Sequence, residues 1–133
     1  MILAVDLGDR HVGMALGNPP EIPVHRYTTL DRKLKDALVE IAGIVEKEHV
    51  KTVIVGVPIS LSGEETEQTY KSLAFLEQLT RKLHPDVEVE SVDETLTSVE
   101  ARRIISVEGG KPEDEHMEAA RLMLVQYLHE RNT

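Results

Sequence analysis

The chain has 133 residues, 41% of them hydrophobic and only 3% aromatic, so it has the size of one domain with a core of Val, Ile, Leu, Ala and Met. It contains no cysteine, which excludes disulfides, zinc–thiolate sites and cysteine nucleophiles. With 24 acidic residues against 15 Lys and Arg its net charge is −9, which argues against tight unassisted gripping of nucleic acid and leaves room for a local basic rim or metal-dependent binding.

Ile2–Asp6, His11–Gly17 and Pro23–Thr29 read as three strands on short connections, an antiparallel meander. Leu34, Ala37, Leu38, Ile41, Ile44 and Val45 recur at helical spacing, with Asp31 as the expected N-cap. Lys51–Val57 is a β-branched run, as expected of a central strand covered on both faces. A loop from Pro58 to Gly63 leads to a helix carrying Tyr70, Leu73, Leu76, Leu79 and Leu83, with Ser62 and Glu65 as its capping box. Asp86–Val92 alternates apolar and acidic residues, a strand with one wet face. Thr97–Val107 reads as a helix with a Thr97–Glu100 capping box, closed by Gly109-Gly110. Pro112-Glu113-Asp114-Glu115 leads into a last helix, His116–Arg131, with His116, Ala120, Met123 and Tyr127 on one inward stripe. The order βββαβαβαα implies a mixed sheet with helices on both faces.

Asp6 is the oddity in this pattern. A buried carboxylate needs compensation, here by a divalent cation, a phosphate-binding arrangement or the amides of a turn. Glu94 lies just beyond the last strand, and if the two strand ends are close, their oxygens suit Mg²⁺ or Mn²⁺. Two ions about 4 Å apart would activate water and stabilise a leaving oxygen in phosphodiester cleavage. Each feature also has a plainer reading. Asp6 can cap a turn, and Asp93-Glu94 can cap a helix. Gly8 and Gly13 suit an ordinary hairpin as well as a phosphate approaching the backbone. Ser60 and Ser62 contact phosphate or cap the next helix, while Thr97-Ser98 fits a cap better than a nucleophile. Arg102-Arg103 holds a phosphate near Glu94 or lies on a solvated helix face. Acids at 113–115 complement a helix N-terminus. His116 is a metal ligand, an acid–base group or a satisfied structural histidine. No apolar run approaches the roughly 20 residues that span a bilayer, and the start of the chain lacks signal-peptide features. A cytoplasmic protein is expected.

Four segments together resemble the YqgF/RuvX family, Holliday-junction-resolvase-like proteins also assigned as pre-16S rRNA nucleases. Asp6-Leu7-Gly8 with Gly13 and Ala15 is similar to the opening D-x-G…G-x-A hairpin, and Val55-Gly56-Val57-Pro58 to the G-[LV]-P strand end. Asp93-Glu94-Thr95-Leu96-Thr97-Ser98 resembles D-E-R-L-T-S, and Ala119-Ala120 through Tyr127-Leu128 resembles the terminal A-A-x-x-I-L-x-x-Y-L helix. The resemblance covers nearly the whole chain. It implies one ribonuclease H-like domain over residues 1–133, with a five-stranded mixed sheet of order 3-2-1-4-5.

It further implies a nuclease using Mg²⁺ or Mn²⁺ on structured RNA such as pre-rRNA, or on branched DNA, acting as a monomer or homodimer. Asp6 and Glu94 match two of three acidic metal positions, and His116 stands at the third. On this reading Asp6, Glu94 and His116 bind metal and carry catalysis, and Gly8, Arg10, Ser60 and Arg102 contact phosphate. The sequence departs from the family pattern at Thr95, His11 and Ser60, and its segment before the last helix is acidic except for Lys111. Imidazole at position 116 shifts the expected metal preference toward Mn²⁺, with Glu115 and Glu118 as substitute ligands. Two other expectations follow. One is an inert nucleic-acid-binding or protein-binding module of the same fold. The other is an actin-like phosphate hairpin, which needs two lobes to enclose a nucleotide.

Overall fold

The computed structural model describes residues 1–58, 66–93, 95–111 and 114–131, and for 95–100 and 102 the backbone only. The elements are β1 (Ile2–Leu7), β2 (His11–Asn18), β3 (Ile22–Asp31), α1 (Ala37–Lys47), β4 (Thr52–Val57), α2 (Glu67–Lys82), β5 (Glu88–Asp93), α3 (Thr95–Glu108) and α4 (Asp114–Arg131). They form a five-stranded sheet of order β3-β2-β1-β4-β5. The β1–β2 and β2–β3 pairs are antiparallel, and β1–β4 and β4–β5 are parallel. Both the element order and the topology match the sequence reading.

Helices cover both faces, which is why β1 and β4 are apolar in consecutive positions. Leu3, Val5, Leu7, Val53 and Val55 face one core together with Ile41 and Val45 of α1 and Phe75 and Leu79 of α2. Ala4, Ala15 and Ile54 face the other, against Ala120, Met123 and Leu124 of α4. Small residues on this second face let α4 come close. At Gly13 an added Cβ would lie 2.1 Å from the carbonyl carbon of His116, so no side chain fits there. The first turn of α4 is thereby set down on β2, opposite the end of β1.

Several local expectations are corrected. Asp31 does not cap α1: it ends β3, and its Oδ1 accepts from Lys33 N while its Oδ2 accepts from Arg10. The cap is Asp36, directly before the first helical residue, whose carboxylate accepts from Leu38 N and Val39 N. Leu34 lies in the loop, 80% exposed. Ser62 and Glu65 fall outside the described residues, and α2 opens on Thr66, which forms a capping box with Thr69. The Thr69 hydroxyl also donates to the Pro58 carbonyl. That tie to the end of β4 turns Thr69, Ser72, Phe75 and Leu79 inward and leaves Tyr70 and Leu73 exposed, so the buried stripe is rotated from the expected one. Because α3 begins at Thr95, Thr97 sits inside its first turn and is not the cap. α4 begins two residues before His116, at Asp114, whose side chain accepts from Lys111 N.

Candidate active site at the carboxyl edge of the sheet

The parallel strands β1, β4 and β5 end along one edge. Val5 is level with Val55, and Val57 with Asp93, so the end of β1 and the end of β5 flank the end of β4. In sheets of this kind, functional groups collect at such carboxyl ends. Asp6 is the penultimate residue of β1, and its alternation with Val5 directs it to the α4 face.

There the buried Asp6 carboxylate, with its side chain 7% exposed, meets the imidazole of His116. His116 Nδ1–H donates to Asp6 Oδ2 at 2.7 Å. This hydrogen bond and the negative charges of Asp6 and Glu115 hold the imidazole above the ordinary histidine range, against the opposing effect of burial. An imidazole N–H donated to the carboxylate is the compensation that the sequence demanded of Asp6.

Gly8 completes this corner. Its N–H donates to the His11 carbonyl at 2.9 Å, closing the β1–β2 turn. An added Cβ at Gly8 would stand 2.6 Å from that carbonyl oxygen and 2.7 Å from His116 Cε1. The imidazole therefore takes the space that a side chain at position 8 would fill, while its Nδ1 holds Asp6. The His11 ring sits 6.3 Å from the His116 ring, centroid to centroid.

The structure places the remaining expected residues as follows. Arg10 is on the rim, its guanidinium held by Asp31 at 3.1 Å. Glu94 directly follows the end of β5, but it and Ser60 lie outside the described residues, as does the side chain of Arg102. Asp6, Gly8 and His116 are thus brought together. Among the described residues no three His, Asp or Glu side chains gather in a way that could hold a metal.

Glu118 is not a reserve ligand. It is fully buried between α4 and β3, where Arg121 Nε donates to it at 2.5 Å and Arg26 Nε at 3.1 Å. Burial pushes its carboxyl upward, but the hydrogen bonds from Arg121 and Arg26 outweigh this and hold it below the ordinary glutamate range. Arg26 also reaches Glu108 at the end of α3. Sequence reasoning missed this cluster, because an arginine in an edge strand and a glutamate on a polar-looking helix face carry no local signal of pairing 92 residues apart.

The sheet order and the helices on both faces define a ribonuclease H-like fold. Fowlpox virus resolvase, solved with Holliday junction DNA, superposes with a TM-score of 0.62 over 99% of both chains at 11% identity. Thermus thermophilus RuvC in complex with a Holliday junction substrate gives 0.61 over 98% of this chain and 94% of its own, also at 11% identity. These establish the fold. Residues 1–130 match the family model described as "RuvX: Holliday junction resolvase", and the chain belongs to that family. Among curated relatives, a protein of Phocaeicola vulgatus named "Putative pre-16S rRNA nuclease" is 34% identical over 134 residues, covering 96% of this chain and 94% of its own. One of the same name from Maridesulfovibrio salexigens is 35% identical over 101 residues, covering 75% and 73%.

Proposed function

We propose that the protein is a divalent-metal-dependent nuclease of the cytoplasm acting on structured nucleic acid, with the 5′ end of pre-16S rRNA as its first candidate substrate and a branched DNA junction as its second. The observation that carries this reading is the buried Asp6 carboxylate held by His116 at the carboxyl edge of the sheet. Membership of the family and the printed names of the relatives support it.

The donor chemistry fits Mg²⁺ or Mn²⁺. Asp6 offers a fixed anionic oxygen, and Glu94 would add a second from just beyond β5. His116 keeps Nε2 available because its Nδ1 is committed to Asp6. When bound, the ion supplies an activated water and stabilises the leaving oxygen. The chain's own residues do the rest. His116 fixes the rotamer of Asp6 through Nδ1, and its Nε2, turned away from that carboxylate, carries a proton at the departing oxygen. Gly8 leaves the space beside the β1–β2 turn that the His116 ring occupies, which keeps the ring seated against Asp6. Arg10, Arg102 and Ser60 steady the flanking phosphates.

The test is cleavage of a precursor rRNA end and of a four-way DNA junction, each with Mg²⁺ and with Mn²⁺. Asp6→Asn should lower the rate at least about 100-fold, since it removes a ligand and not merely the partner of one. His116→Gln should lower it by about 10- to 100-fold. If the wild type cuts neither substrate, or Asp6→Asn cuts equally well, the nuclease reading fails. Binding of structured RNA without divalent-dependent cleavage would favour an inert binding module.

A further inference from the structure

The chain is strongly acidic, yet a group of its cations is gathered beside the site. The β3–α1 loop carries Arg32, Lys33 and Lys35, and it faces Phe75 and Gln78 of α2 across a groove of about 540 Å³. Lys71 of α2 lies next to it, in a smaller hollow lined also by Leu7, Asp9 and Arg32.

The acidic residues here are largely committed elsewhere. Asp36 caps α1, and Asp31 is taken by Lys33 N and Arg10. Asp9 and Glu67 are exposed and lie 3.9 and 3.5 Å from Lys71. Lys33 and Lys35 are exposed, with no ion pair among the described residues. Arg32 has a positioning contact in place of an acidic partner: its Nη1 donates to the Gly8 carbonyl at 3.2 Å, and its guanidinium lies 5.8 Å from the centre of the Phe75 ring.

Gly8 is therefore shared. On the α4 face the His116 ring rests on it, and on the α2 face Arg32 holds its carbonyl. The groove and the Asp6 corner are two sides of one sheet edge, joined at this residue.

We infer that the groove between the β3–α1 loop and α2 is a phosphate track, which takes the sugar–phosphate backbone flanking the site as the strand passes over the sheet edge at Gly8. This rests on the proposed nucleic-acid substrate but not on cleavage. Lysines with freely rotating ammonium groups suit sequence-independent contact with phosphates, and each such contact releases counterions on binding. A polyanion is thus accepted locally although the whole molecule repels it.

The experiment measures binding of a fluorescent pre-rRNA end fragment in EDTA, over a series of salt concentrations, so that cleavage plays no part. Lys33→Ala/Lys35→Ala should weaken binding and flatten the slope of log K against log salt by about 1.4 to 1.8. The control is Lys47→Ala/Lys82→Ala, which removes the same charge from the far ends of α1 and α2. It should change the slope by less than half as much. Both pairs are exposed, and unchanged thermal unfolding checks that the variants remain folded. Equal slopes for the two double variants would overturn the track, as would no binding by the wild type. Lost affinity in the groove variant of a protein that cuts nothing would uphold the track and remove the nuclease reading. Cleavage abolished by Asp6→Asn with equal slopes would do the reverse.

Discussion

At the scale of single residues, position 13 is the most sharply constrained. A methyl at Gly13 would collide with backbone of α4, which cannot rotate aside as a side chain can. Gly13→Ala should destabilise the protein by about 3 kcal/mol through overpacking, measured by urea unfolding. It should also shift the amide signals of His116 and Met117. Glu118 makes a second case. Its folded pKa is held below the ordinary value, so its contribution to stability is present above the unfolded glutamate pKa and is lost as pH falls through the folded one. Glu118→Gln takes the carboxylate from Arg121 and leaves Arg26 with Glu108 alone, and should cost about 3 kcal/mol at neutral pH. The variant should then lose less stability than the wild type on acidification, and unfolding curves at several pH values check this.

At the scale of elements, the helix starts separate what is local from what is not. Asp31 and Asp36 are both acids ahead of the same apolar stripe, and only the second has its carboxylate on α1 amides. Asp36→Ala should cost about 1 kcal/mol. Asp31→Ala should cost less than that, since it removes only an exposed pair with Arg10 and a turn contact. A larger loss for Asp31 in thermal unfolding would contradict the observed cap. The same lesson holds for α2. Its apolar residues at 70 and 73 have the spacing of a buried stripe, yet Thr69 and Ser72 occupy the core face. The hydroxyl tie to Pro58 at the end of β4 fixes the helix rotation, and no local count of apolar residues contains that contact. By contrast, the inward stripe of α4 through His116, Ala120 and Met123 was legible, because there periodicity and packing agree.

At the level of the whole chain, the order of elements, the interior position of the apolar strands and the singular status of Asp6 were readable along the sequence. These follow from composition and periodicity, which act along the chain and can be read along it. The motif resemblance added the family and the expected strand order. The tertiary structure decided what compensates Asp6. The histidine is 110 residues away, and only the close seating of α4 on Gly13 brings its ring to 2.7 Å from the carboxylate. It also decided where the positive charge goes. A net charge of −9 describes the average surface, whereas folding sorts charge by position and gathers Arg32, Lys33 and Lys35 along one groove against α2. Residues distant in sequence meet only through the path of the sheet and the rotation of the helices against it, and a linear reading holds neither.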